Sequence, residues 1–273
     1  QLALSEGMLT IIKTSAETIS QGTDSRNYGC LDGLPEAKTF FAKLWGVKES
    51  QMILGGSSSL NIMYDTMMRA MFLGVLGGEK PWASQGKVKF LCPVPGYDRH
   101  FGVCEALGIE MINIPMQEDG PDMDMVEKLV AEDPMIKGIW SVPKYSNPQG
   151  ISFSDQVVRR FASMKTAAPD FRIFWDNAYD LHHIVENGDE ILNIIEECAQ
   201  AGNPHRPFMF ASTSKITYPG SGVAMIAASE ENIAFIKKQL TYQTIGPDKV
   251  NELRHIRFFG TPEGVIEHMK KHA

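Results

Sequence analysis

The chain has 273 residues, 43% of them apolar and 22% charged, and a net charge of −7. That is an ordinary globular composition with enough apolar mass for a core that stands alone, and its acidic balance leaves no basic stripe for nucleic acid. No long apolar run marks a membrane span, and QLALSEGMLT shows no basic stretch followed by an apolar core, so a cytoplasmic protein without a signal peptide is expected. The four cysteines, Cys30, Cys92, Cys104 and Cys198, lack metal or redox spacing and read as reduced, mostly buried thiols. The chain begins at glutamine and ends at IEHMKKHA, inside a helical pattern. A piece of a longer protein is the expectation.

In chain order, MILGGSSSLNIMYDTMMRAMF predicts a Gly-Ser loop opening a helix. Short runs rich in β-branched and aromatic residues then recur: KVKFLCPV, EMINIPM, IKGIWSVP, FRIFWD, PFMFAS and GVAMIAAS. Each is bounded by turn residues and reads as a strand. Between them RHFGVCEALG, DMDMVEKLVAED, SDQVVRRFASMKTA and DEILNIIEECAQAG read as helices, with Asp122 and Ser154 as N-caps and Gly108 and Gly202 as stops. Strands alternating with helices predict an α/β domain with a mostly parallel sheet, its continuously apolar strands covered on both faces.

Ligands of such sheets bind beyond the carboxyl ends of the strands. The residues just after the predicted strands are PGYDRH, KYSNPQG, DNAYDLHH and STSK. Each has a bland reading as turn, cap or packing. Together they bring one lysine, one aspartate, two tyrosines and an asparagine to one sheet edge, with the GGSSS helix start beside them. That set suits a pyridine aldehyde phosphate held as a Schiff base. Lys215 would form the internal aldimine from a desolvated pocket. Asp176 would keep the ring nitrogen protonated, so that the ring acts as an electron sink. Asn147 and Tyr179 would hydrogen-bond the phenolic oxygen, and Tyr97 would stack on the ring. Gly56, Ser57 and Ser58 would cradle the phosphate at a helix N-terminus, with Ser212 and Ser214 adding hydrogen bonds. His100 would steady Asp176.

In order along the chain, RNYGCLDGLPEA, GGSSSLN, PGYDRH, SNPQG, DNAY and STSK resemble the segments of the fold-type I pyridoxal-phosphate-dependent aminotransferases. The wording is closest to a divergent bacterial aspartate aminotransferase subgroup. The resemblance implies a three-layer α/β/α large domain with a mostly parallel central sheet. It implies pyridoxal 5'-phosphate as cofactor, amino acid and 2-oxo acid substrates, and transfer of the amino group of L-aspartate to 2-oxoglutarate. Lys215 would also shuttle the proton, with Asp176 and Tyr97 beside it in catalysis. It further implies a homodimer in which Tyr28 reaches the partner's cofactor phosphate. Residues 1–273 would be the cofactor-binding large domain, with 262–273 beginning the helix toward a small domain. That domain would carry the arginine that grips the substrate carboxylate.

One departure stands out. The family keeps a phosphate-neutralising arginine in a P-G-x-R-x-G pattern, and here Gly222 occupies that place. Lys249, Arg254 and Arg257 are candidate substitutes. Two other readings use the same segments: an aminotransferase-like effector domain of a transcription regulator, and a lyase or decarboxylase on the same fold. His182-His183 lacks acidic or cysteine partners at ligand spacing, so no metal is expected.

Overall fold

The computed structural model describes residues 1–183 and 187–273. In chain order the strands are β1 (Ile19–Ser20), β2 (Thr23–Asp24), β3 (Met52–Leu54), β4 (Lys89–Val94), β5 (Glu110–Gln117), β6 (Gly120–Pro121), β7 (Ile136–Ser141), β8 (Arg172–Asp176), β9 (Pro207–Ser212) and β10 (Ala224–Ala227). The α-helices are α1 (Pro35–Leu44), α2 (Ser59–Phe72), α3 (Asp98–Ala106), α4 (Met123–Glu132), α5 (Asp155–Ser163), α6 (Ile194–Gln200), α7 (Glu230–Leu240), α8 (Lys249–Phe259) and α9 (Pro262–His272). β3 to β10 are hydrogen-bonded in the order β3-β10-β9-β8-β7-β4-β5-β6. The β5-β4-β7-β8-β9 pairings are parallel, while β10 against β3 and β6 against β5 are antiparallel. The mostly parallel α/β architecture follows from the alternation of strand and helix patterns.

By its internal contacts the chain divides into two compact units. The larger in contacts comprises Met63–Asp180 and Asp189–Phe210. Every residue of β7 and β8 is buried, as a strand covered on both faces must be. Its centre is aromatic: Phe90, Trp140 and Phe174 lie 5.0–5.5 Å apart, and Phe208 packs 5.7 Å from Phe174. Gly138 lets Phe90 through. A Cβ there would stand 2.3 Å from the Phe90 ring and 2.8 Å from the Arg172 carbonyl. Gly138→Ala in the full-length protein is therefore expected to cost at least about 1–3 kcal/mol, the range for overpacking a core; a shift in the urea midpoint measures it. A fully buried ion pair, Lys137 to Asp170 at 2.7 Å, closes the far end of β7, and Gln85 accepts a further bond from the Lys137 ammonium. Trp140 donates its indole N–H to Cys104, one of three buried free thiols.

Two expectations need correction here. β5 is mostly exposed, with only Ile114 fully buried. It lies next to the last strand of the sheet, where only the two-residue β6 follows it, so it lacks cover on both faces. Helix α6 begins at Ile194, not at residue 189. The Asn193 side chain accepts from Ile195 N–H and Glu196 N–H, and this internal cap ends the preceding segment.

The other unit comprises Gln1–Ile62, Leu181–Gly188 and Ala211–Ala273. Its core is α1 against α8 and α9, with Phe41, Leu253, Ile256 and Val265 buried. β3 pairs with β10, and Gly55 N–H continues that ladder to the Ala224 carbonyl at 2.9 Å. Helix α8 is polar by sequence yet buries Lys249, Asn251, Glu252 and His255.

Candidate active site

Asp176 ends β8 and is 4% exposed. Its Oδ2 lies 2.9 Å from His100 Nε2, so the expected partnership is present. A carboxylate only accepts, and with Asp176 ionised Nε2 carries the proton. The imidazole is fixed by stacking on Trp140 (4.3 Å, 7°) and by the edge of Tyr97 (5.1 Å, 84°). Helix α3 explains the arrangement: Tyr97 is its extended N-cap residue and His100 lies one turn in. The other oxygen, Asp176 Oδ1, is buried with no hydrogen-bond partner among the described residues. A buried carboxylate oxygen without a partner carries a desolvation cost that a cationic N–H donor would remove.

Tyr97, His100 and Asn147 line one small cavity together with Trp140, Ser141 and Ser146. Asn147 hydrogen-bonds Tyr179. Burial pushes the Tyr179 phenol up, the Asp176 charge adds to that, and the bond from Asn147 opposes it. Lys144 fastens the following turn through its 2.6 Å bond to the Asp180 carbonyl. Thus Tyr97, His100, Asn147, Asp176 and Tyr179 are brought together within one unit.

The second group lies in the other unit. Gly56 has φ +71°, a left-handed turn ahead of α2. The Ser57 carbonyl accepts from Ser214 Oγ at 3.0 Å, and Ser212 Oγ donates to Ser214 Oγ at 3.1 Å. Gly56 and Ser57 line a cavity with Ser221, Gly222, Asn251 and Arg254. The Ser58 hydroxyl bonds Asn61 Oδ1 at 2.9 Å and accepts from Asn61 N–H, capping α2. Lys215 sits on the turn from Thr213 to Thr217 and is exposed.

That turn is fastened from beneath by residues the sequence reading missed. Thr213 Oγ1 and Thr217 Oγ1 lie 3.1 and 2.9 Å from His255 Nε2, and His255 Nδ1 lies 2.8 Å from the Asn251 carbonyl. Thr213 Oγ1 also accepts Val223 N–H. Hydroxyls two residues either side of Lys215 were the available signal; their partner on α8 is remote in sequence. Burial lowers His255 from 6.5 to about 4, while burial raises its neighbour Glu252 from 4.5 to about 7. Burial favours the neutral form of each. The signs oppose: His255 contributes stability present above pH 6.5 and lost as pH falls through 4, and Glu252 contributes stability present below pH 4.5 and lost as pH rises through 7. Each shift corresponds to about 3 kcal/mol. The two slopes largely offset between pH 4.5 and 6.5. Glu252→Gln alone should unmask the His255 slope, so that urea unfolding of the full-length variant becomes steadily more difficult from pH 4.5 to 6.5. A variant as flat as the wild type would refute this.

Tyr28 is 82% exposed and lines a different cavity, with Thr244, Ile245 and Pro247. His182 Nε2 lies 3.3 Å from the Lys215 carbonyl, and no group of three or more metal-ligating side chains exists among the described residues. No described helix is long and apolar enough to cross a membrane.

A family model described as aspartate amino-transferase matches residues 1–273. A protein of Mycolicibacterium smegmatis named as an aminotransferase is 49% identical over 274 residues, covering 100% of this chain and 64% of that one. The crystal structure of an aspartate transaminase from Corynebacterium glutamicum superposes with TM-score 0.95 at 45% identity, over 99% of this chain and 64% of that one. An α-aminoadipate aminotransferase from Thermus thermophilus, solved with N-(5'-phosphopyridoxyl)-L-leucine, superposes with TM-score 0.75 at 18% identity, over 98% of this chain and 62% of that one. At that identity the likeness is one of fold alone. The chain spans less than two thirds of the length of these relatives.

Proposed function

We propose that this chain, which belongs to the aspartate aminotransferase family, is the cofactor-binding part of a pyridoxal-phosphate-dependent transaminase, with 262–273 leading toward a second domain. The observation that carries the reading is Asp176: buried at the end of a central parallel strand, one oxygen held by His100, the other without a partner among the described residues. A protonated pyridine nitrogen fits that oxygen. When bound, the cofactor would supply an electron sink for cleavage at the amino acid's α-carbon.

The chain's own residues would do the rest. Asp176 would hold a proton on the ring nitrogen, and His100 would hold Asp176 in place. Tyr97 would cover one ring face, while Asn147 and Tyr179 would bond the phenolic oxygen. Gly56, Ser57, Ser212 and Ser214 would bind the phosphate. The Lys215 Nζ would anchor the cofactor, then take a proton from or return one to the substrate α-carbon as a general base and acid. Tyr28, exposed and outward, would serve the partner's site in a homodimer. Amino group and proton are exchanged without net oxidation: an amino acid and a 2-oxo acid become a 2-oxo acid and an amino acid.

L-Aspartate and 2-oxoglutarate are the proposed pair, supported by the aspartate transaminase relative. An amino-donor screen with 2-oxoglutarate on the full-length protein tests it. Oxaloacetate formed from aspartate faster than the oxo product of any other donor is the expected result; preference for an aromatic or aliphatic donor would reject it.

A further inference from the structure

Gly222 stands where the resemblance leads one to expect an arginine, and the structure explains why no side chain is there. A Cβ on Gly222 would lie 2.4 Å from the Ser57 carbonyl and 2.9 Å from Ser214 Oγ. The close approach of these backbones leaves no room for an arginine on this turn. The charge of a phosphate bound at Gly56 and Ser57 must then be met from another element.

Three cations on or beside α8 are available, and two are committed elsewhere. Lys249 is buried with its ammonium on the Gly29 carbonyl at 3.0 Å. Arg257 makes a two-point ion pair with Glu36. Arg254 alone of the three lines the Gly56–Ser57–Gly222 cavity. Its Nη2 donates to Asn251 Oδ1 at 2.5 Å, while Asn251 Nδ2 donates to the Ser221 and Gly222 carbonyls at 2.9 and 3.1 Å. The guanidinium is thereby tied, through one amide, to the turn that lost the arginine. Its Nε is buried without a hydrogen-bond partner among the described residues. The carboxylates lining the same cavity are engaged with backbone: Asp248 caps Asn251 N–H at 3.0 Å, and Glu252 accepts Leu34 N–H at 2.8 Å.

We propose that Arg254, oriented by Asn251, is the phosphate-binding cation of this site, relocated from the Gly222 turn to helix α8. The assignment rests on the cofactor reading above and deepens it. Guanidinium is suited to the role because its planar fork can keep the Asn251 bond and still present N–H groups to a phosphate.

The test separates phosphate from ring. Full-length wild type and Arg254→Gln, both freed of cofactor, are titrated with pyridoxal 5'-phosphate and with pyridoxal, followed by visible absorbance. Arg254→Gln should weaken pyridoxal 5'-phosphate binding by about 10–100-fold, as for a lost hydrogen bond to a charged group, and leave pyridoxal within about 2-fold. Arg254→Lys should fall between, and Arg257→Gln should match wild type. Unchanged affinity for pyridoxal 5'-phosphate in Arg254→Gln overturns the assignment and leaves the cofactor reading intact. So does an equal loss for both compounds, which marks a structural role. Absence of binding by wild type overturns the cofactor reading and this assignment with it.

Discussion

Replacing Lys215 by alanine is expected to abolish the visible absorption band of the full-length protein with added pyridoxal 5'-phosphate, and to lower turnover by about 10⁴-fold, the upper end for a general acid–base group. Wild type treated with borohydride should carry a covalent label on Lys215. The variant should carry none. A label on another lysine, or a variant that keeps the band, would sink the assignment. The fold should survive the change. Lys215 is exposed, and the turn beneath it is held by Thr213, Thr217 and His255, none of which the substitution touches. Exposed substitutions of this kind stay within about 0.5 kcal/mol, so an unchanged melting temperature separates lost chemistry from lost structure.

Asp176→Asn carries the second large effect. The amide is nearly isosteric and can keep a hydrogen bond to His100, but it no longer supplies the negative charge that holds a proton on the ring nitrogen. Turnover should fall by about 10²–10³-fold, the cost of removing one preorganised electrostatic partner, while cofactor remains bound. Asp176→Ala should do further damage by stranding a buried His100 nitrogen, at about 1–3 kcal/mol of stability. Stopped-flow mixing with aspartate would place the loss of Asp176→Asn in the proton-transfer step. Near-normal rates in Asp176→Asn would remove the residue from the mechanism.

The positions of Asp176 at the end of β8 and of Lys215 just after β9 were legible in the sequence, because short apolar runs mark where strands stop. FRIFW followed by D, and PFMFA followed by STSK, advertise those strand ends without any fold in hand. His100 was legible too, one helical turn after a post-strand tyrosine. Helix α8 was not. KVNELRHIRFF looks like a solvated helix, yet its Asn251, Glu252 and His255 are buried because each meets backbone or hydroxyl partners contributed from far along the chain. Hydrophobic periodicity cannot register polar groups that are buried by being paired. The exposure of β5 escaped for the converse reason: EMINIPM has the composition of a covered strand, and only its position near the sheet's end leaves it open.

The fastening of the Lys215 turn has a practical consequence. The flanking threonines are anchored to His255, so the turn has supports that do not pass through position 215. Shorter amines, histidine or non-natural side chains can then be tried at position 215 while these threonine supports stay in place. Redesign of this protein toward other amine chemistries should begin there and leave Thr213, Thr217 and His255 alone.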